Sequence, residues 1–362
     1  MATLSLCMMV RDEESTLARA IGSFNGIADE VVVVDTGSRD GTVDLARSLG
    51  ARVVHHAWRD SFSAARNAGF DACTGDWVFG LDADERLLPE SREEVLRLVE
   101  GSTAQAHWIV RRDFTPAGYS EMPFVRLGRR DLDRRMVGRI HERFDPPLTN
   151  VAQSGIVLEH DGYMPARKDA RYRRNARLLE LELRDRPGQA YYLADLTHCY
   201  WMLRDPRWSG TLTKTMAAVD LNAPRSPLPL VIPLLEIVLG APEATLPPGV
   251  THGAAETLAE RWYPKSVPLL VARARVAFGR GDLARAAELG ERAVGAWDSG
   301  DYDRTISFDP AIVGAELRLN LGVALASVGR TSLAQERLEE AARDPSFAEL
   351  AQRNLRVIRS SL

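Results

Sequence analysis

The feature that most constrains this chain is a set of short apolar runs in its first quarter, each followed by a stretch with helical spacing. Leu4–Val10 is continuously apolar, Val31–Val34 is four valines, Arg52–His55 is short, and Trp77–Leu81 is apolar again. Between them, Leu17, Ala20, Ile21 and Phe24 recur three and four apart, the signature of one helical face. Asp12 is the expected N-cap of that helix. Thr42–Leu49 reads as a second helix, closed by Gly50, and Phe62–Cys73 as a third. Ser91 and Glu94 have the spacing of a capping box that opens a helix running to Val99. Runs of β-branched residues suit strands covered on both faces, which is the condition of a parallel sheet. The alternation therefore predicts an α/β, doubly wound, mostly parallel sheet.

From about Gln105 the pattern changes. Strand-like pieces appear at Trp108–Phe114, Phe124–Leu127 and Ile156–Glu159, and after about Arg167 the chain reads as helical almost throughout. Repeats lie in that last part. Asn320, Leu321, Gly322, Leu325, Gly329, Ala334 and Ala341 fall at the large and small positions of a tetratricopeptide unit, with Pro345 after them. A second unit centres on Gly281-Asp282, with Ala286 and Ala293 on its following helix, and a third, weaker one spans Tyr191–Leu221. Gly295–Asp309 reads as an insertion between units. With 362 residues, two domains are expected, a catalytic one over 1–168 and an all-α, tetratricopeptide-like one over 169–362.

Composition narrows the classes. The net charge of -4 gives no overall drive toward nucleic acid. Cys7, Cys73 and Cys199 are odd in number and widely spaced, which predicts a reduced, cytoplasmic protein. Leu228–Leu239 is the longest apolar run, but Pro229, Pro233 and Glu236 interrupt it and it is shorter than a membrane span. It reads as a buried helix.

The chemistry concentrates at the ends of the early strands. Leu81-Asp82-Ala83-Asp84-Glu85 follows a buried strand directly, and ligands of open α/β sheets bind beyond the carboxyl ends of strands. Two carboxylates one residue apart can hold a divalent ion against a diphosphate. Val34-Asp35-Thr36-Gly37-Ser38-Arg39-Asp40-Gly41-Thr42 ends another strand and turns into a helix. Asp35 there can accept from a ribose hydroxyl or a base N–H. Val10-Arg11-Asp12-Glu13-Glu14 adds polar groups to the same edge, and Arg66, in Phe62-Ser63-Ala64-Ala65-Arg66-Asn67, can reach the donor or orient Asp82.

These four motifs, in this order, resemble family-2 inverting glycosyltransferases, especially the bacterial branch with a C-terminal tetratricopeptide domain. That branch includes the peptide S-glycosyltransferases. The resemblance covers the first ~90 residues well, continues more loosely to about residue 195, and implies a GT-A fold. It implies that Asp35 contacts uridine, Asp82 the ribose or metal, and Asp84 coordinates Mn²⁺ or Mg²⁺. Val10, Arg11, Asp12, Glu13, Arg66 and Ala83 would line the donor pocket. The branch often carries Asn where this chain has Asp12, so an amide contact there does not transfer. Gly138-Arg139-Ile140-His141-Glu142 resembles an Ile-His-Glu segment of the branch and makes Glu142 the candidate general base. His160-Asp161-Gly162-Tyr163 resembles its His-X-Gly-Tyr segment and makes His160 a candidate metal ligand, slightly favouring Mn²⁺. Arginines flank both, at 126, 129, 130, 134, 135, 139 and 143 and again from 167 to 177, and one or two are expected to face the leaving diphosphate.

The function these readings predict is metal-dependent, inverting transfer from a UDP-sugar to an acceptor hydroxyl or thiol, with a peptide or protein acceptor bound by the helical domain. The alternatives are a nucleotidyltransferase, which releases pyrophosphate rather than UDP, and a tetratricopeptide adaptor with an inactive front domain. Neither nucleic acid nor a membrane span is expected among its partners.

Overall fold

The computed structural model describes residues 1–131, 135–160, 168–224, 226 and 231–360. Asp161, Gly162, Tyr163, Arg134 and Arg167, which the sequence reading names, lie outside them. The described residues form two compact units, one of residues 1–114 and 120–185, the other of 115–119 and 186–362.

The first unit opens with β1 (Leu4–Val10), α1 (Leu17–Gly22), β2 (Glu30–Asp35), α2 (Thr42–Ser48), β3 (Arg52–His55), α3 (Phe62–Ala72) and β4 (Trp77–Leu81). β5 (Glu85–Leu87), α4 (Arg92–Gly101), β6 (Ala106–Thr115), β7 (Gly118–Arg129), β8 (Arg135–Val137), β9 (Arg143–Asp145), β10 (Val151–His160) and α5 (Lys168–Asp185) follow. Eight strands make one sheet in the order β3-β2-β1-β4-β7-β6-β10-β5, and β8 and β9 form a separate ribbon. The first four are parallel to one another, as the alternating pattern predicts. β10 is also parallel to β6, whereas β7 and β5 run antiparallel to β4 and β10. The core explains the continuous apolar runs: Leu4, Leu6, Met8 and Val10 of β1 pack with Leu17, Phe24, Trp77, Phe79 and Leu81 in one cluster. Cys7 and Cys73, far apart in sequence, join Val32 and Val78 in a smaller one.

Two helix starts differ from expectation. Asp12 does not cap α1, which begins at Leu17 after Thr16. Asp12 is in the left-handed region (φ 55°) and its carboxylate accepts from the Arg39 amide at 2.7 Å, so a tertiary turn has taken the cap. Ser91 and Glu94 form no capping box. Ser91 is already αR after the 3₁₀ turn Pro89–Ser91, and its hydroxyl accepts from the Val157 amide at 2.9 Å. Glu94 pairs with Arg97 instead.

α5 belongs to the first unit, one helix beyond the boundary at 168/169 read from sequence. Its Glu182 accepts from the Arg139 amide at 2.9 Å, its Asp185 from the Arg139 guanidinium at 2.8 Å, and Arg177 donates to Asp60 at 2.7 Å.

The second unit is helical: α6 (Ala190–Met202), α7 (Arg207–Ala218), α8 (Val231–Gly240), α9 (His252–Trp262), α10 (Val267–Gly279), α11 (Leu283–Ser299), α12 (Ala315–Ser327), α13 (Thr331–Ala341) and α14 (Ala348–Ser360). α6 packs on α7, α8 on α9, α10 on α11 and α12 on α13, and of the small residues singled out from sequence the alanines and Gly322 sit inside while Gly281 and Gly329 are exposed at φ 78°. Ala286, Ala293, Ala324, Ala334 and Ala341 are buried in one cluster with Leu321, Leu325 and Leu338. A Cβ at Gly322 would meet the Leu338 side chain at 2.6 Å, so glycine sets the approach of α12 to α13. The apolar run Leu228–Leu239 is a buried helix over its described part, Val231–Gly240. Among the described residues no helix is long and apolar enough to cross a membrane.

Candidate active site

The site lies at the carboxyl edge of the first sheet. Val10 and Asp35 end β1 and β2 side by side in register, and β4 ends at Leu81, two positions behind on the far side of β1. Three parallel strands thus deliver Val10, Asp35 and Asp82 to one edge, where open α/β sheets hold ligands.

On the β1–β2 side, two loops are laced together. The Asp12 amide donates to the Ser38 hydroxyl at 3.0 Å and the Glu13 amide to the Thr42 hydroxyl at 2.8 Å. Glu14 accepts from the Gly41 amide at 3.0 Å, and a Cβ at Gly41 would strike that carboxylate at 2.5 Å. Gly37 is at φ 106°, a conformation that side chains resist. The acidic run after Arg11 therefore braces the 38–42 turn as well as facing the edge. The Val10 carbonyl accepts from both the amide and the hydroxyl of Thr36, and Glu13 accepts from the Thr16 hydroxyl at 3.0 Å. Arg11 remains half exposed, 4.0 Å from Asp12. Asp35 is buried and accepts from the Ser38 amide at 3.0 Å and the Gly37 amide at 3.3 Å. Burial pushes its carboxyl up, but the Ser38 hydroxyl and these amides outweigh that and hold it below the usual range.

On the β4 side, the acids and arginines form a single chain of alternating charge. Glu142 Oε1 accepts from Arg66 Nε at 2.8 Å, and Arg66 Nη2 donates to Asp82 Oδ1 at 3.1 Å. Asp82 Oδ2 accepts from Arg126 Nη2 at 2.6 Å, which also donates to Glu85 Oε1 at 2.9 Å. Arg111 approaches Glu85 at 3.7 Å and grips Asp113 through two bonds of 2.7 and 3.0 Å. Asp113 is 2.6 Å from His160 Nδ1, and His160 Nε2 is 3.3 Å from Asp84 Oδ2. One path thus joins Glu142, Asp82, Asp84, His160 and Arg66, which the sequence reading named, through Arg126, Glu85, Arg111 and Asp113, to which it gave no such roles. Ala83 is buried between the two aspartates.

Burial sets the electrostatics. Glu85 and Asp113 are each 1% exposed. Burial pushes the Asp82 carboxyl up, but Arg126 and Arg66 outweigh it and hold Asp82 well below the carboxylate range. Burial, together with the charge of Asp82, raises Glu85 despite Arg126. His160 is driven down by burial, yet its bonds to Asp113 and Asp84 carry it up to about 9. Five carboxylates face three guanidiniums and one imidazole, so even with His160 protonated the path keeps an excess of negative charge.

Asp84 is the open end of the path, its side chain 43% exposed. Among the described residues no three His, Cys, Asp or Glu side chains converge as a metal cage. Glu142 keeps its second carboxylate oxygen without a hydrogen-bond partner among the described residues. The preceding His141 is at φ 54°, and Asp12 and Asp60 share that left-handed backbone. Three of the four such non-glycine residues among those described thus flank this edge, where backbone strain commonly marks function.

The fold and this edge define a class, an α/β domain of GT-A type with an acidic edge beyond its parallel strands. Residues 5–170 match the family model described as Glycosyl transferase family 2, and the first unit is a domain of that family. The chain is 38% identical over 211 residues to a TPR repeat-containing protein of Synechococcus elongatus, covering 54% of this chain and 52% of that protein. It is 33% identical over 161 residues to the lipopolysaccharide core biosynthesis glycosyltransferase LpsC of Rhizobium meliloti, covering 43% and 57%. The chain spans about half the length of these two relatives. Among solved structures, glucosyl-3-phosphoglycerate synthase of Mycobacterium tuberculosis, in complex with Mn²⁺, UDP-glucose and phosphoglyceric acid, aligns at 28% identity and a TM-score of 0.27, covering 30% of this chain and 44% of that one.

Proposed function

We propose that this chain transfers a sugar from a UDP-sugar to an acceptor hydroxyl or thiol, with inversion at the anomeric carbon and with a divalent metal ion. The observation that carries this reading is the unbroken path from Glu142 to Asp84 along the carboxyl edge of a family-2 domain. Asp35, with Val10, Arg11, Asp12 and Glu13 around it, holds the nucleoside end of the donor. Arg66 and Ala83 position Asp82 toward the ribose or the metal.

The donor set at Asp84 and His160 suits a metal. An imidazole whose Nδ1 is bound to a buried carboxylate presents Nε2 in a fixed direction, the arrangement common at metal sites. One carboxylate and one imidazole leave the remaining positions for phosphate oxygens and water, as diphosphate sites require. Mn²⁺ suits an imidazole better than Mg²⁺ does. Bound there, the ion would supply Lewis acidity to the departing UDP. Glu142 does the proton work. Arg66 pins one of its oxygens, and the other accepts the proton of the attacking hydroxyl or thiol. The second unit, a stack of helical hairpins, would carry the acceptor if that acceptor is a peptide or protein.

A thermal-shift series with UDP-, GDP- and ADP-sugars, each with Mn²⁺ and with EDTA, tests this. A ligand that binds only the folded state raises the melting temperature, and at a fixed concentration the rise is greater the tighter it binds. The expected result is a rise with a UDP-sugar and Mn²⁺ that exceeds the others. Identical melting in every condition would refute the proposal.

A further inference from the structure

The helical unit contains an ionisable group with no hydrogen-bond or ion-pair partner among the described residues. Glu236 sits on α8, where Val231, Ile232, Leu234, Leu235, Ile237, Val238 and Leu239 are all buried. Among the described residues its half-buried carboxylate makes no hydrogen bond and no ion pair. Burial pushes it up to about 7, and the nearby charges of His198 and Arg275 offset only part of that. A carboxylate left in apolar surroundings without a partner costs stability, so its retention asks for a reason.

Glu236 opens onto a cavity of about 140 Å³ whose apolar walls include Leu239, Val271, Ala272 and Ile312. Arg275 also lines it, but its guanidinium is engaged, donating to Glu316 at 3.1 Å. The cavity therefore offers one unpartnered carboxyl group, an engaged guanidinium, and hydrocarbon between them. An anionic ligand would meet Glu236 and find Arg275 occupied. An uncharged ligand would leave the carboxylate unanswered. A cation with a hydrocarbon stem meets both demands. Size agrees: a dry cavity of roughly 150 Å³ holds benzene, a ligand comparable in size to four methylenes and an ammonium.

We propose that this cavity is a binding site for a primary alkylammonium group, the chemistry of a lysine side chain, with Glu236 as its counter-ion and Leu239, Val271, Ala272 and Ile312 around its stem. It is independent of the sugar-transfer reading, since every residue in it belongs to the second unit.

Titration of the full chain, followed by NMR or calorimetry, tests it with three probes: n-butylammonium, acetyl-Ala-Lys-Ala-amide, and the same tripeptide with norleucine for lysine. Both ammonium probes should bind, the norleucine peptide about tenfold more weakly or worse, because a hydrogen bond to a charged group is lost. Glu236→Gln should erase that difference. Ala272→Leu, which fills the cavity and leaves Glu236 in place, should abolish binding of both ammonium probes, and it carries the test if Glu236→Gln does not fold by circular dichroism. Tighter binding of the lysine peptide than of butylammonium identifies a polypeptide as the source, and equal binding identifies a free amine. Equal binding of the lysine and norleucine peptides, unchanged ammonium binding in either variant, or no binding of either ammonium probe would overturn the proposal.

Discussion

The two units arrange their buried charge differently. At the sheet edge of the first, Asp82, Glu85, Arg111, Asp113 and Arg126 are largely buried and answer one another in sequence. In the second, the buried cluster of α10 to α14 is mainly alanine, leucine and valine, Arg273 on α10 is 2% exposed and pairs with Glu260 at 2.6 Å, and Glu260 also pairs with Arg292 in partial solvent. A helical stack holds together chiefly through shape and hydrocarbon. An edge proposed to receive a diphosphate needs fixed charge, and fixed charge out of water is costly unless it is paired. The comparison teaches that buried charge is gathered into one path at the sheet edge, whereas in the helical unit it stands at separate positions such as Arg273.

The sharpest way to break that contrast is Glu142→Gln. The variant keeps the shape and the bond from Arg66 but removes the proton acceptor, so donor binding should hold while turnover falls by roughly 10²–10⁴-fold. Steady-state kinetics with a UDP-sugar donor reads this, and near-wild-type turnover would assign the role to another group.

Next in size is Arg126→Met. It leaves Asp82 with Arg66 alone and Glu85 with only the more distant Arg111, and breaking a buried pair by removing one partner costs about 3–5 kcal/mol. Arg292→Met in the helical unit removes a guanidinium whose side chain is 31% exposed, and should cost under about 1 kcal/mol. Urea denaturation of both variants compares them directly, and equal losses would mean that the two sets of charges do not differ in kind.

A smaller effect is expected of Asp113→Asn. Asp113 touches no substrate in this account and acts by holding His160 at 2.6 Å. Loss of such a supporting carboxylate weakens metal binding by about 10–100-fold. Calorimetric titration of Mn²⁺ measures it in the absence of any turnover, and unchanged affinity would make Asp113 a structural partner only.

The sequence made the two units legible to different depths. Hydrophobic period placed β1 to β4, and the large and small positions of a repeat placed the helical pairs around Gly281 and Gly322, because those elements are local and their buried faces are continuous. Strand-end position singled out Asp82 and Asp84, the motif before that strand singled out Arg66, and Glu142 and His160 came from the family resemblance. The links between them were hidden, since Arg111, Asp113 and Arg126 arrive on β6 and β7, whose pairing with the early strands no local pattern encodes. One signal was available: Arg111 and Asp113 stand two apart on the same face of β6 as the buried Ile109, where a charge must find a partner. The expected caps at Asp12 and Ser91 failed for a related reason. Short polar side chains can satisfy any nearby amide, and here those amides belong to Arg39 and Val157, distant in sequence.

The central claim, that the first unit's edge binds a nucleoside diphosphate through a metal held at Asp84, is tested most directly by calorimetric titration of UDP into the wild-type chain and Asp84→Ala, each with Mn²⁺ and with EDTA. The account predicts that Mn²⁺ tightens UDP binding to the wild type by about tenfold or more, a difference of about 1.4 kcal/mol, and that Asp84→Ala erases it. Equal UDP affinity in all four titrations would contradict it.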